Sequence, residues 1–516
     1  MNRKLLLQAA SGLAIASVLA GCKVGPNYKR PSTTMPAAYS ATQPATTEPA
    51  TQPAVPVDLA RWWESFNDPQ LNRLINEAVD SNFDVQIALA RVREARAQLD
   101  AAYGGLWPTV DASGSYSRSK ASENSLSGVS TGSAAGSGGG SGSSSGSSFA
   151  RHPTSLWQGG FDATWELDVF GGQQRQIESA YATLQSQIEA RRSALVTLLS
   201  EVAQNYILLR GYQYQLSIVD KNIAAQNDSL QVQQQKLAAG IATDLTVAQA
   251  EALLANTRAQ RPPLQTNIDQ TTHRLGILLG REPTALQEEL QTETPLPVGP
   301  PTIPTDLPSQ LLRRRPDIRQ TERALAAATA GIGVATAELF PKFNLTGSVG
   351  LSANKFANLG DSNSLFWSIG PNVSWRIFDA GVIGANIRFN EAAADLAMLT
   401  YRQSVYQALS DVEDAIVSYN HERERMFTLQ QSVEANRRAV DLSRNLNTAG
   451  VVDFLNVLTA QQGLFNAESA LAISQQTVST DLVAVYKALG GGWETTELSP
   501  QLPVADRDVI RQAGEN

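Results

Sequence analysis

The chain is poor in the residues that most site chemistry needs. Cysteine occurs once, at Cys22, so no disulfide can form within the molecule. Histidine occurs three times, at His152, His273 and His421, far apart and without metal-ligand spacing. No nucleophile motif, phosphate loop or GxGxxG is present. These absences remove the usual signatures of hydrolase, metal and nucleotide sites, so no enzyme activity, catalytic residue, metal or cofactor is expected. Basic charge is lacking too. The formal net charge is −8 over 516 residues, and a phosphate backbone calls for a basic face, so nucleic acid is not the expected partner. The apolar stretch Leu5 to Leu19 is interrupted by Gln8, Ser11 and Ser17 and is too short for a membrane-spanning helix.

That stretch follows the charged pair Arg3 and Lys4 and ends in Leu19-Ala20-Gly21-Cys22. A charged start, a short apolar region and small residues before a cysteine resemble a bacterial lipobox. The resemblance implies cleavage before Cys22, a diacylglycerol thioether on its sulfur and an acylated amine. Several acyl chains, at about 0.8 kcal/mol per buried CH2, hold firmly to a membrane. The alternative is an ordinary signal peptide with an incidental cysteine. Lys23, not Asp, follows the cysteine, which in lipoprotein sorting points to the outer membrane. The Pro-, Thr- and Ala-rich run from Pro31 to Pro56 reads as an extended tether.

The rest is an internal duplication. Gly240-Ile-Ala-Thr-Asp-Leu-Thr-Val recurs as Gly450-Val-Val-Asp-Phe-Leu-Asn-Val, an offset of 210 that also relates Leu279-Gly280 to Leu489-Gly490 and Trp165 to Trp375. Upstream, Leu106-Trp107-Pro108 matches Leu339-Phe340-Pro341, and Asn82-Phe-Asp-Val matches Arg315-Pro-Asp-Ile, both offset by 233. The difference falls in a Gly/Ser tract between about Ser113 and Ser148. Five parts are expected: signal peptide 1–21; lipid-anchored tether 22–57; first repeat 58–290; second repeat 291–494; tail 495–516.

Each repeat carries two stretches with period-two alternation, expected as strands over about 108–118, 155–168, 342–354 and 366–378. Trp157, Phe161, Trp165 and Leu167 alternate with Gln158, Asp162, Glu166 and Asp168; Phe343, Leu345, Val349 and Leu351 alternate with Asn344, Thr346, Ser348 and Ser352. About ten residues is the length at which a tilted strand crosses a bilayer, and tryptophans near strand ends suit its interfaces. Four strands are too few for a membrane barrel, and an open edge in lipid leaves N–H and C=O groups unsatisfied. Strands of this kind require several chains to share one barrel.

Between Gly172 and Gly240 there is no proline and one internal glycine, Gly211. Ile188, Leu195, Val202, Leu209, Leu216 and Ile223 follow at steps of seven, and the register survives the duplication at Met398, Val405, Val412, Tyr419 and Met426. Such heptads mean coiled-coil packing. Long helices are expected over about 173–239 and 382–449, each near 100 Å at about 1.5 Å per residue. Return helices follow over about 243–280 and 453–489, with Gly240 and Gly450 as helix C-caps. The fold class is thus mainly α with membrane β.

These features resemble the TolC-like outer membrane factors, in the NodT-type lipoprotein branch serving RND-type efflux pumps. The resemblance rests on Cys22-Lys-Val-Gly-Pro-Asn-Tyr-Lys, Leu307-Pro-Ser-Gln-Leu-Leu-Arg-Arg-Arg-Pro-Asp-Ile, Phe340-Pro-Lys-Phe, Trp375-Arg-Ile-Phe-Asp-Ala-Gly, Ala408-Leu-Ser-Asp-Val-Glu-Asp-Ala and Gly490-Gly-Gly-Trp-Glu. It implies a homotrimer with a shared twelve-stranded barrel in outer-membrane lipid and an α-barrel through the periplasm. It also implies a periplasmic membrane-fusion adaptor and an inner-membrane RND-type pump as partners. By the same resemblance the periplasmic gate falls at Leu455, with Asn456 and Thr459 where relatives often carry Asp, and Asp453 close by. For Asp453 a plain helix cap is the other reading, and the favoured one. The adaptor would touch the hairpin tips at Gly240, Thr243, Asp244, Leu245, Gly450 and Val452. Arg313, Arg314 and Arg315 suit either lipid phosphates or a helix start and domain contact, the latter favoured. A protein-secretion duct and a structural envelope lipoprotein are the competing functions.

Overall fold

The computed structural model describes residues 23–32, 36, 58–120, 153–300, 310 and 313–494. The signal-peptide and tail readings, and Cys22 itself, lie outside the described residues. After a 3-10 helix, Leu59–Phe66, come α1 (Pro69–Ser81), α2 (Phe83–Gly104), β1 (Thr109–Ser119), β2 (Thr154–Leu167), α3 (Gly172–Ala238), α4 (Asp244–Arg258), α5 (Arg261–Leu278) and α6 (Gln287–Leu290). Then follow α7 (Pro316–Ala337), β3 (Lys342–Ala353), β4 (Leu365–Ser374), α8 (Val382–Thr448) and α9 (Phe454–Ala488). Both long helices have 67 residues. Mainly helical with four strands, the chain has the fold class its sequence pattern predicts.

The chain divides into two compact units. One comprises 1–28, 97–180 and 328–394 and holds all four strands. They form one antiparallel sheet in the order β1-β2-β3-β4. The two repeats meet at β2–β3, which leaves β1 and β4 as edges. Repeat equivalence is visible in detail here. Trp165 Nε1 donates to Leu106 O at 2.9 Å, and its counterpart Trp375 Nε1 donates to Leu339 O at 3.0 Å. Strand β4 stops at Ser374, short of the expected 378. The chain turns for α8 at Ala380 and Gly381, both at positive φ, and Asp379 accepts from the amides of Gly381 (2.9 Å) and Ile383 (2.6 Å). Those backbone hydrogen bonds hold the Asp379 carboxyl below the ordinary carboxylate range.

The second unit comprises 29–96, 181–327 and 395–516. The heptad residues form its buried face: Ile188, Leu195, Val202 and Leu209 on α3, and Val405, Val412, Tyr419, Val433 and Val440 on α8. Trp62, fully buried, stacks on Tyr486 at 5.2 Å and joins Leu71, Leu74, Leu199 and Leu482 in the main core. Glycine at 211 lets α9 approach α3, since an added Cβ would meet the Gln476 side chain. The return helix of the first repeat is two helices, not one over 243–280. Pro262 and Pro263 lack the N–H groups that would continue the ladder past Arg258, so α4 ends and α5 restarts with proline in its first turn.

The unit also repeats a helix-end device. Asn82 Nδ2 donates to Leu278 O at 2.9 Å, while Arg315 Nη1 donates to Ala488 O at 3.1 Å. Arg315 is therefore internal, and the helix-start role is the one it fills, beside Pro316 at the head of α7. Of the tether expected over 22–57, residues 33–35 and 37–57 lie outside the described residues; near its start Arg30 pairs with the buried Glu322 at 2.9 Å.

Burial pushes Asp481 on α9 up to about 6, with Glu422 on α8 adding repulsion. Glu422 is itself held by Ser474 Oγ at 2.6 Å and Arg425 Nη1 at 2.9 Å. A raised carboxyl favours the folded state fully below its unfolded value of 3.8, and that advantage is lost as pH rises through about 6. Asp481→Asn removes the charge cost, so it raises stability at pH 7 by on the order of 1 kcal/mol after allowance for solvent screening. Urea melts of both proteins at pH 7 and pH 4 check this. The gain belongs to pH 7 and vanishes at pH 4; a gain equal at both values refutes the charge origin.

Candidate functional site

Two surfaces carry the functional signals, and each lies within one unit. On the sheet, the register assigns every side chain to a face. Val110, Ala112, Gly114 and Tyr116 of β1 lie opposite Ala163, Phe161, Gly159 and Trp157 of β2. That row continues through Phe343, Leu345, Val349 and Leu351 of β3 to Val373, Pro371, Trp367 and Leu365 of β4. This face is apolar apart from Arg118 and Ser155 at its margin, and it is uncovered: Phe161 is 58% exposed, Trp367 72% and Ile369 69%. Aromatic contacts at one end join Tyr116 to Trp157 at 4.2 Å and Trp157 to Phe356 at 5.1 Å. At the other end Phe170 stacks on Phe340 at 4.6 Å. An apolar sheet face of this extent, banded by aromatics, is what lipid accepts and water does not.

The opposite face is polar apart from Leu156 and Phe366. One rung across all four strands reads Asp111, Asp162, Ser348, Ser368. Ser113 Oγ donates to Asp162 Oδ2 at 3.2 Å, and Ser348 and Ser368 share a hydrogen bond of 2.8 Å. Two carboxylates directly opposite repel unless water hydrates them, which suits a solvent-filled side. The cross-strand match of Asp111 with Asp162 is not legible in the sequence, because the register of two strands so far apart in the chain has no local signature. No helix among the described residues is long and apolar enough to cross a membrane.

The second surface is the pair of hairpin tips. Gly240 (φ 73°) and Gly450 (φ 71°) take the left-handed conformation that other L residues reach only at a cost. At each, the next amide bonds back to the last helical turn: Ile241 N to Lys236 O at 2.8 Å, Val451 N to Leu446 O at 2.9 Å. Gly240 N and Gly450 N bond to Leu237 O and Asn447 O, completing Schellman ends in both repeats. Thr243 then caps α4, its Oγ1 accepting from Thr246 N at 3.4 Å, with Asp244 in the first turn. The tip of α9 differs. Asp453 occupies the N-cap position with extended backbone, but its side chain makes no capping bond. Val452 O instead accepts from Asn447 Nδ2 at 3.0 Å.

Phe454, Val457 and Leu458 of α9 pack on Ala250 of α4, with Leu230 and Leu253 against them. Leu455 stands outside this cluster at 52% exposed and lines an open groove of about 570 Å³ with Gln249, Asn256 and Thr459. Its repeat counterpart, Leu245, is exposed as well. The polar residues around it are locally engaged. Asn456 Nδ2 donates to Asp453 O at 3.3 Å, and Thr459 Oγ1 to Leu455 O at 2.9 Å. So Leu455 and Thr459 share one wall, whereas the Asp453 carboxylate has no bond holding it toward them. Among the described residues, no cluster of His, Cys, Asp and Glu can hold a metal ion.

One further residue escaped the sequence reading, Arg175, which is fully buried in the first turn of α3. A cation is electrostatically misplaced at a helix N-terminus, and that was the available signal.

Comparison with known proteins agrees with this geometry. The profile of the Outer membrane efflux protein family matches residues 74–281 and 307–491, one stretch in each repeat. Nodulation protein T of Rhizobium leguminosarum bv. viciae is 32% identical over 482 residues, 93% of this chain and 93% of its own. The solvent efflux pump outer membrane protein SrpC of Pseudomonas putida is 30% identical over 482 residues, 93% of this chain and 97% of its own. The solved structure of the outer-membrane channel OprN matches with a TM-score of 0.80 at 35% identity, covering 92% of this chain and 100% of its own. A duplicated helix–strand unit, a sheet with one bare apolar face and the profile match over both repeats lead to one assignment: the chain belongs to the Outer membrane efflux protein family.

Proposed function

We propose that the protein is the outer-membrane exit duct of a tripartite efflux system, a passive homotrimer. The observation that carries this is the four-stranded sheet with an exposed apolar face and two free edges. Placed in lipid alone, β1 and β4 would each bare a row of N–H and C=O groups at several kcal/mol per unsatisfied group. Pairing β1 of one copy with β4 of the next removes both rows. Three copies give a closed wall of about twelve strands, within the range of known membrane barrels. The polar face, with Asp111 and Asp162, then lines water.

In this reading the tips at Gly240, Thr243, Asp244, Leu245, Gly450 and Val452 meet a periplasmic membrane-fusion adaptor. Leu455 forms the apolar constriction, with Asn456, Thr459 and Asp453 around it. Energy comes from an inner-membrane RND-type pump, and the duct supplies only an aqueous path. Opening is a shift of the tips between two packed states. Cys22 carries the acyl anchor. Small molecules are the proposed cargo, in keeping with the solvent-efflux relative. Catalysis has no part in this mechanism.

Reconstitution tests it. Detergent-purified protein has three times the chain mass by native mass spectrometry, and planar bilayers containing it show discrete conductance steps. A monomer that leaves bilayers silent overturns the proposal.

A further inference from the structure

Arg175 is buried completely, yet three of its bonds go to a segment far from it in sequence. Its Nε donates to Val24 O at 2.9 Å, and its Nη2 to Gly25 O at 3.0 Å and to Asn27 Oδ1 at 2.8 Å. Nη1 donates to Glu178 Oε2 at 2.8 Å, and the same carboxylate oxygen takes Lys23 Nζ at 2.6 Å. The segment adds its own bond, Val24 N to Phe170 O at 3.3 Å. The fit is close. Gly25 has φ 83°, and a Cβ on it would stand 2.5 Å from Gly333 Cα. A Cβ on Gly333 would in turn stand 2.7 Å from the Arg175 side chain. All these groups belong to the sheet-bearing unit, and Arg175 follows the end of β2 by eight residues.

A planar guanidinium with five fixed donors is suited to reading two successive main-chain carbonyls and a side-chain amide at once. Nothing in the channel mechanism uses it. The segment it holds begins one peptide bond after Cys22. We propose that Arg175 is a positioning residue for the lipid anchor: it docks Lys23–Asn27 on the sheet-bearing unit and so fixes Lys23, the residue joined to the acylated cysteine, just past the end of β2. The role in placing lipid rests on the acylation of Cys22; the docking does not. A free tether would let the acyl chains enter the membrane anywhere within reach of the chain. A docked one makes them enter at the wall of the barrel, so sheet and lipid act as one anchor of fixed register. Burial raises the Glu178 carboxyl, but Lys23 and Arg175 outweigh it and hold the group below its ordinary range, so the docking contacts stay charged at neutral pH.

The experiment uses the full chain matured in bacterial membranes and compares it with Arg175→Met, Arg175→Lys and Gly25→Ala. Two readouts are taken by mass spectrometry: the acyl mass on the Cys22 peptide, and a carbodiimide cross-link between Lys23 and Glu178. Amide exchange is followed over Val24–Tyr28 and, as a control, over peptides of α8 and α9. Wild type is expected to carry the acyl mass, form the cross-link and protect Val24–Tyr28. Arg175→Met and Gly25→Ala are expected to lose the cross-link and that protection, with α8 and α9 unchanged. Arg175→Lys, a point charge without the fork, is expected to rescue neither. Gly25→Ala strikes the fit from the segment side, so it stands even if Arg175→Met fails to fold. An acylated Arg175→Met or Gly25→Ala protein with cross-link and protection intact overturns the role of Arg175. A wild-type chain without acyl mass but with the segment protected overturns the lipid reading and the anchoring role with it.

Discussion

Arg315→Ala lowers the stability of the purified protein by about 2–3 kcal/mol, a loss of roughly a hundredfold in the folding equilibrium. Arg315 joins three helices of one unit. Its Nη2 bridges Asp317 Oδ2 on α7 at 2.7 Å and Asp411 Oδ2 on α8 at 3.0 Å. Its Nε donates to Asp317 Oδ1 at 3.1 Å, and its Nη1 to the terminal carbonyl Ala488 O of α9 at 3.1 Å. Burial works against the charged guanidinium, but Asp317 and Asp411 outweigh it and push the group above its ordinary range. Truncation leaves two carboxylates facing each other and a buried carbonyl without its donor. Breaking a fully buried pair costs about 3–5 kcal/mol, and the partial exposure of both aspartates reduces that, because water reaches them. Urea denaturation followed by far-UV circular dichroism measures the loss. Arg315→Lys recovers only part, since one ammonium cannot bridge both aspartates and reach the carbonyl. If Arg315→Ala melts with wild type, the network carries no net stability.

Leu455→Ser raises the single-channel conductance of the reconstituted protein several-fold. Leu455 is exposed on the first turn of α9, outside the cluster formed by Phe454, Val457 and Leu458. Repeated by symmetry at the proposed constriction, its side chains form an apolar ring that resists wetting. A hydroxyl in each place accepts water and lowers that barrier. The change costs little stability, because no packed neighbour is lost. The control is Leu458→Ser, three residues on but buried against Ala250. It loosens the tip cluster and lowers thermal stability, which separates tip disorder from wetting of the pore. Conductance unchanged in Leu455→Ser removes Leu455 from the gate.

Legibility in the sequence differed by kind of feature. The heptad helices were readable because a coiled-coil face is a local pattern: Leu195, Val202 and Leu209 fall on one stripe whatever they meet, and all three are buried. The tip glycines were readable for the same reason, since positive φ favours one residue type at a fixed place after a helix. The single return helix expected over about 243–280 is split into α4 and α5 at Pro262 and Pro263, which have no counterpart in the unbroken α9, where Ala472 and Ile473 stand. Asp453 takes the N-cap position that the sequence offers, with extended backbone but without a side-chain capping bond, because residue type at an N-cap does not fix the rotamer.

By itself, then, the sequence determined the period of each segment, the duplication and the two faces of every strand, all properties of neighbours in the chain. Only tertiary structure decided which strands are edges, that Asp111 stands opposite Asp162, and that Arg315 and Arg175 are internal. Asp111 and Asp162 are separated by a long Gly/Ser-rich stretch, and Arg175 lies some 150 residues from Val24. Contacts at such separations are set by how the elements close on one another, and no local periodicity encodes that closure.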